Sequence, residues 1–130
     1  MKKPICIIAA RNGSKRIKNK NIINFFGKPL ISYSIQTALK SKLFEKVVVS
    51  TDSLKIAKIA EEYGAEAPFL RKKKLSDDET GLREVIKDTI KNIKSQNNEY
   101  HFYLYATAAL LKNKDLIKAF KKIKKLNYDF

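Results

Sequence analysis

Five cationic side chains and no acidic one lie between residues 8 and 21, which read IAARNGSKRIKNKN. An apolar segment, PICIIAA at residues 4–10, leads directly into this stretch, and Gly13 and Ser14 interrupt the cations. Glycine lets the backbone approach a ligand closely, and successive N–H groups in a turn can form an anion cradle. The stretch therefore predicts a phosphate-binding loop that suits a nucleoside triphosphate. Its cations are Arg11, Lys15, Arg16, Lys18 and Lys20.

Two common phosphate-binding motifs are absent from the sequence. Neither GxGxxG nor GxxxxGK[ST] occurs, so neither a Rossmann dinucleotide turn nor a P-loop is supported. A solvated basic loop is the alternative interpretation. Ligands of open α/β sheets lie at the carboxyl ends of the strands. This basic loop directly follows an apolar strand, so phosphate binding is favoured over a merely solvated loop.

The charge is unevenly distributed over the 130 residues. The formal net charge is +15, and residues 1–44 contain ten cations and no carboxylate. Of the 28 cations, 24 are lysine and four are arginine, whereas readers of duplex nucleic acid usually contain more arginine. The composition argues against nucleic acid as the partner. A noncatalytic basic module that binds RNA or another polyanion stays open as the alternative function.

Apolar segments alternate with amphipathic helical patterns along the chain, which predicts an α/β fold with a mostly parallel sheet covered by helices. Helices are predicted to begin at Pro29, after a cap at Asp52 or Ser53, near Leu82 and after a cap at Asn113, and the third is predicted to have about four turns. The predicted strands are residues 4–10, 46–51, 100–105 and, more weakly, 65–70.

Three further features bound the prediction. Cys6 lies in an apolar run without a partner for a disulfide, which predicts a core thiol. Neither a signal peptide nor an apolar run of about 20 residues is evident, so we expect a cytoplasmic protein and no membrane partner. Residues 128–130 have the pattern of a strand just beginning, which predicts a truncated chain with an open sheet edge.

A longer ordered pattern surrounds the phosphate loop. The segment from Arg11 to Asn21 is followed by GKPL at 27–30, VVVSTDS at 47–53, FLR at 69–71, LSDDETG at 75–81 and LYATAALL at 104–111. This order resembles the cytidylyltransferases that activate nine-carbon acidic sugars, the acylneuraminate (CMP-sialic acid) cytidylyltransferases and their pseudaminic acid relatives. The resemblance covers nearly the whole chain. It implies a Rossmann-like three-layer nucleotidyltransferase fold, apparently truncated, with residues 1–130 as the N-terminal, CTP-binding portion of one domain.

The resemblance also implies an activity. CTP would react with a 2-keto sugar acid to give the CMP-sugar and pyrophosphate, with Mg²⁺ as cofactor. The YATA version of the 104–111 motif is more similar to the pseudaminic acid branch, and a related enzyme using another sugar or base stays open. The family's magnesium-binding aspartates and its homodimerisation segment lie in the second half of a longer chain. Whether the 130 residues alone are active is therefore left open.

Site residues follow from the resemblance position by position. Arg11 and Lys20 match the residues that hold the triphosphate and carry catalysis, and Arg71 stands where an arginine approaches cytosine. The remaining matches are Gly13, Ser14 and Lys15 in the loop, Asn21 as a nucleotide contact, Asp78 and Thr80 over the base, and Tyr105 and Thr107 facing the sugar. The sequence departs from the family pattern at Lys72, Leu82 and Ala109.

Other polar residues have simpler interpretations. The acidic trio at residues 77–79 follows Ser76 in a pattern that favours helix capping or solvation over metal binding. His101 is interpreted as a strand histidine rather than a general base, since no carboxylate is near it in sequence. The aromatic residues Tyr100, Phe102, Tyr103 and Tyr105 could stack nucleic-acid bases, but sheet packing is the simpler interpretation for all except Tyr105 at the end of the strand.

Overall fold

The computed structural model describes residues 3–14, 16–76, 80–95 and 100–126. Within these residues the chain forms five strands, four α-helices and two short 3-10 turns. The strands are β1 (Ile5–Ala9), β2 (Asn24–Phe25), β3 (Lys28–Pro29), β4 (Lys46–Ser50) and β5 (His101–Tyr105). The helices are α1 (Leu30–Ser41), α2 (Leu54–Glu62), α3 (Leu82–Asn92) and α4 (Asn113–Leu126), and the 3-10 turns are Lys20–Ile22 and Lys73–Leu75.

The main sheet is parallel, with strand order β4-β1-β5. Ala9 at the end of β1 lies between Ser50 of β4 and Tyr105 of β5. The three carboxyl ends therefore meet in one row at the same edge of the sheet. The central strand is buried on both faces by its neighbouring layers, as its continuous apolar sequence predicts.

The strand predicted at residues 65–70 is present only as two isolated contacts with the sheet. Glu66 pairs with Val48 and Leu70 pairs with Thr51, both in parallel orientation. The segment lies beside β4, and the prediction of a regular strand there was wrong. Pro68 lies between the two contacts and has no N–H to donate, which interrupts a ladder.

Helices cover both faces of the sheet and complete the three-layer α/β fold that was predicted. On one face the helices α1, α2 and α4 pack on β1, β4 and β5, with a core that includes Cys6, Ile8, Ile31, Ile35, Val49, Ile56, Ala60 and Leu116. On the other face α3 packs Ile86, Ile90 and Ile93 against Ile5, Ile7, Val48 and Tyr103. Cys6 is fully buried, and this burial raises the pKa of its thiol to about 12.

Local signals account for most helix boundaries. Pro29 occupies the N-cap position of α1, and the Ser53 hydroxyl caps α2 by accepting the Ile56 N–H at 3.2 Å. Asp52, the alternative cap, instead accepts the N–H of Asn12. Gly64 follows α2 with a φ of 98°, a left-handed conformation that glycine adopts without strain.

Two boundary predictions were wrong. The third helix has 11 residues, about three turns, because Ile93 is its C-cap rather than part of it. Its N-cap is Gly81. The Ser76 hydroxyl donates to the Lys72 carbonyl at 2.9 Å. Asn113 is the first residue of α4 and not its cap.

The acidic trio at 77–79 and the terminal residues 128–130, on which two predictions were made, lie outside the described residues. Along the described part of the chain, no helix is both long and apolar enough to cross a bilayer.

Candidate functional site

A cleft of about 280 Å³ opens at the carboxyl ends of the parallel strands. The sequence-predicted residues that line it are Arg11, Lys20, Asn21, Arg71, Thr80, Tyr105 and Thr107. They come from four separate segments of the chain, so the fold brings together what the motifs had placed far apart in sequence. The lining residues that were not predicted as site residues are Ala9, Leu82, Val85, Tyr103 and Ala106.

The cleft exists because a small side chain ends the central strand on the face covered by α3. Side chains alternate along a strand, so Ala9 projects to the same face as Ile5 and Ile7. Those isoleucines pack against α3, but Ala9 has only a methyl group to fill the space above them. Leu82 and Val85 in the first turn of α3 form the wall opposite.

The phosphate loop is shaped by its own side chains. The Arg11 guanidinium donates from Nη1 to the Gly13 carbonyl at 2.7 Å. The Ser14 hydroxyl donates to the Ile17 carbonyl at 2.6 Å and accepts the Lys20 N–H at 3.2 Å. These bonds fold the loop back on itself, so that Lys20 reaches the cleft beside Arg11. Gly13 and Ser14 thus shape the loop and do not line the cleft.

Asn21 is buried, with 9% of its surface exposed. Its Nδ2 donates to the Arg11 carbonyl at 3.0 Å. This hydrogen bond uses one of the amide hydrogens within the protein. Asn21 also lines the cleft, and the nucleotide contact that the resemblance implies stays a prediction.

Arg71 places a buried cation at the floor of the cleft, with only 6% of its surface exposed. Nη2 donates to the Ser50 carbonyl at 2.8 Å and Nη1 to the Leu75 carbonyl at 3.2 Å. Burial lowers the pKa of the guanidinium, and the charge of Asp52 opposes that change. An arginine nevertheless stays charged in a protein.

Two buried atoms near Arg71 have no hydrogen-bond partner within the described residues. They are the Arg71 Nε and the Ser50 hydroxyl oxygen. Because buried polar atoms are nearly always paired, we expect a water molecule or a ligand to form hydrogen bonds with them.

The rim of the cleft is polar and aromatic. Thr80 donates from its hydroxyl to the Lys74 carbonyl at 2.8 Å, which ties the segment before α3 to the preceding 3-10 turn. Tyr105 is 65% exposed, and its ring meets that of half-buried Tyr103 edge to face at 5.3 Å. Burial raises the pKa of the Tyr103 phenol, which keeps its proton at neutral pH and can donate it.

Several predicted residues fall elsewhere. Lys15 and Asp78 lie outside the described residues. His101 lies at the opposite end of β5 from the cleft, where its Nε2 is 3.1 Å from both the hydroxyl and the carbonyl oxygen of Ser95. It is a partnered strand histidine, as the sequence indicated.

The described residues do not offer a metal centre. Among them no three histidine, cysteine, aspartate or glutamate side chains cluster in a way that could hold an ion. The side chains of the cleft that carry charge are cations, which suit the phosphates of a nucleotide and not a metal ion.

Comparison with protein families and curated proteins gives consistent matches. A family model described as "Cytidylyltransferase" matches residues 5–130. The chain is 54% identical over 118 residues to a pseudaminic acid cytidylyltransferase of Campylobacter jejuni, which covers 89% of this chain and 50% of the relative. It is 47% identical over 88 residues to an N-acylneuraminate cytidylyltransferase of Escherichia coli, covering 68% of this chain and 21% of the relative. The chain thus spans about half the length of the Campylobacter relative, or less of the other.

Solved structures show the same fold. The structure titled CMP:2-keto-3-deoxy-manno-octonic acid synthetase complexed with CTP has a TM-score of 0.80 at 20% identity and covers 95% of this chain and 48% of its own. A cytidylyltransferase from Leptospira borgpetersenii has a TM-score of 0.65 at 25% identity and covers 89% and 46%. These likenesses confirm the nucleotidyltransferase fold that was expected from the sequence.

Proposed function

The chain belongs to the cytidylyltransferase family, and we propose that it forms the nucleotide-binding part of an enzyme that transfers CMP from CTP to a nine-carbon acidic sugar. The observation that carries the proposal is the cleft at the strand ends, where Arg11, Lys20 and Arg71 lie on a lining that also includes Asn21. A cationic cleft at this position suits a nucleoside triphosphate.

Pseudaminic acid is the proposed sugar, ahead of N-acylneuraminic acid. Three relatives at 54%, 51% and 45% identity are named for pseudaminic acid. The segment at residues 104–111 reads LYATAALL and supports the same branch. Its residues Tyr105 and Thr107 are exposed at the cleft rim, and we assign them to the sugar.

The proposed reaction is a nucleotidyl transfer. The anomeric hydroxyl oxygen of the sugar forms a bond to the α-phosphorus of CTP, the bond from that phosphorus to the β-phosphate oxygen breaks, and pyrophosphate leaves. The hydroxyl proton is released to solvent. Arg11 and Lys20 act by neutralising charge that builds on the phosphates, and the loop acts by holding the reacting groups in line.

The cytosine end of the nucleotide is assigned to the other side of the cleft. Arg71 offers donors from a buried, immobilised guanidinium, and Thr80 lies beside it on the lining. Asp78, which the resemblance places over the base, is included in this assignment. Leu82 supplies an apolar surface where the family usually has a small hydroxyl residue.

The remaining elements of the proposal come from the resemblance. Mg²⁺ is the proposed cofactor, and when bound it would neutralise phosphate charge. Since the described residues contain no cluster that fits a metal, none of them is assigned as its ligand. Residues 1–130 are proposed to be the CTP-binding portion of a single larger domain, and a homodimer in the cytoplasm remains a prediction.

Nucleotide-dependent stabilisation tests the proposed function. A ligand at 100 times its Kd stabilises a protein by about 2.7 kcal/mol, so CTP with Mg²⁺ should raise the Tm by several degrees. UTP, ATP and GTP should raise it less. Arg11→Ala and Lys20→Ala should abolish the CTP shift, and Lys40→Ala, at an exposed position of α1, should preserve it.

Two outcomes of that experiment contradict the proposal. Equal shifts with all four nucleotides would remove the assignment to CTP. A shift that persists in both the Arg11→Ala and Lys20→Ala variants would place the nucleotide outside the cleft.

A further inference from the structure

The peptide group between Arg11 and Asn12 is held from both sides by side chains. Its carbonyl oxygen accepts a hydrogen bond from Asn21 Nδ2 at 3.0 Å. Its N–H donates to Asp52 Oδ1 at 2.8 Å. The two partners lie 10 and 40 residues away along the chain. A single peptide plane is thus clamped between the middle residue of the first 3-10 turn and the second residue after the end of β4.

This peptide determines where the Arg11 side chain can go. Its orientation sets ψ of Arg11 and φ of Asn12, the two backbone angles on either side of the plane. Beyond it the loop is exposed at Asn12 and Gly13, so few packing contacts restrain it. Without the clamp the peptide could rotate, and the Arg11 guanidinium would no longer be held at one position in the cleft.

Asp52 is free for this role because its neighbour performs the capping. The Ser53 hydroxyl, not the Asp52 carboxylate, accepts the N–H of Ile56 at the start of α2. A carboxylate is also the stronger acceptor for a partly solvated N–H, since hydrogen bonds to a charged group are roughly twice as strong as neutral ones.

We propose that Asp52 is a positioning residue which, together with Asn21, fixes the Arg11–Asn12 peptide and so holds Arg11 toward the phosphates of the nucleotide. The clamp itself is independent of the reaction. Its consequence for ligand binding rests on the proposed function, because it assumes that Arg11 contacts phosphate.

A second effect of Asp52 has to be separated from the clamp. Its negative charge lies near enough to Arg71 to oppose the lowering of the guanidinium pKa by burial. Asp52→Asn keeps an oxygen acceptor for the Asn12 N–H but removes the charge, whereas Asp52→Ala removes both. The clamp predicts that Asn rescues what Ala loses, and a purely electrostatic role predicts that the two variants behave alike.

Amide hydrogen exchange at Asn12 tests the clamp without any ligand. In Asp52→Ala we expect exchange of the Asn12 N–H to become faster by on the order of tenfold, whereas Asp52→Asn should stay within about threefold of wild type. Ser53→Ala is the matched control, because it weakens the cap of α2 but leaves the clamp in place. Unchanged Asn12 exchange in Asp52→Ala, or equal acceleration in Ser53→Ala, would overturn the proposal.

Affinities for CTP and CMP test the consequence for binding. If Asp52 acts through Arg11 on the phosphates, Asp52→Ala should raise the Kd for CTP by on the order of tenfold. The Kd for CMP, which lacks two phosphates, should rise by less than about threefold, and Asp52→Asn should restore CTP binding. Equal losses for both ligands would overturn the positioning role. Absence of CTP binding by the wild type would instead overturn the proposed function and leave the Asn12 exchange result standing.

Discussion

At the scale of single residues, Arg71 gives the cleft a buried positive charge whose guanidinium has a fixed orientation. Its partners are the carbonyl groups of Ser50 and Leu75, which orient the guanidinium but do not cancel its charge. Among carboxylates, Asp52 opposes the lowering of the Arg71 pKa most strongly, and its side chain already binds the phosphate loop. The cation therefore stays available to a ligand with electron-rich oxygen or nitrogen atoms.

Substitutions of Arg71 should separate packing from hydrogen bonding. Arg71→Ala should lower the free energy of unfolding by about 3 kcal/mol, because it leaves a cavity and an unpaired Leu75 carbonyl. Arg71→Met should cost less, since it keeps the stem packed and removes a charge that burial disfavours. Urea unfolding of both variants measures the difference. Lys72→Ala, at the next and exposed position, is the control and should change stability by less than about 0.5 kcal/mol. Equal losses for Ala and Met would show that packing of the stem is unimportant.

Sequence reasoning found the three charged residues that line the cleft and missed the ring of Tyr103. Arg11 and Lys20 were recognisable because a loop that follows a buried strand lies at the ligand-binding edge of the sheet, and Arg71 was identified from the family resemblance. Tyr103 was interpreted as sheet packing, and it does contact the α3 core. That it also lines the cleft depends on the absence of a large side chain at Ala9, which a strand pattern alone does not reveal. The Asp52 clamp was invisible for a similar reason, since its partner is 40 residues away.

At the scale of elements, the strong periodic signals were reliable and the short irregular pieces were not. The strands β1, β4 and β5 and all four helices were predicted, because their apolar positions repeat with a clear period. No strands were predicted for the β2–β3 hairpin. Its turn places Phe26 at a φ of 50° and Gly27 at 87°, and phenylalanine is an unusual residue for a position that usually holds asparagine, aspartate or glycine.

The start of β5 should make stability depend on pH through His101. Burial lowers the pKa of its imidazole from the ordinary value of 6.5, against a smaller opposing effect of the Ser95 carbonyl. The neutral ring is therefore favoured in the folded state. Its contribution to stability is present above pH 6.5 and is lost as the pH falls through the lowered pKa.

Thermal unfolding at two pH values checks this contribution. The Tm difference between wild type and His101→Gln should be larger at pH 7.5 than at pH 5, because the variant has no group that titrates there. Carboxylates elsewhere titrate equally in both proteins and cancel in the difference. A Tm difference that grows on acidification would mean that the charged imidazole is the form stabilised by Ser95.

Across the entire fold, two sets of cations lie in different environments, one in the cleft and one on an exposed helix. Arg11 and Lys20 converge on the cleft from the loop after β1. The lysines of α4 instead lie exposed along one helix, at Lys118, Lys121, Lys122, Lys124 and Lys125. Both sets contribute to the net charge of +15, but only the first is gathered in a concave site with buried polar neighbours.

Binding of CTP and of a single-stranded RNA should therefore respond to different variants. Arg11→Ala should remove CTP binding and change the Kd for RNA by less than about twofold, since RNA contacts would be spread over many lysines. Lys121→Ala combined with Lys122→Ala should weaken RNA binding and leave the Kd for CTP unchanged. Between 50 and 200 mM salt, a polyanion held by about four lysines should lose on the order of tenfold or more in affinity. RNA binding that disappears with Arg11→Ala would mean that the cleft itself accepts nucleic acid, and would favour a polyanion-binding module over a nucleotidyltransferase.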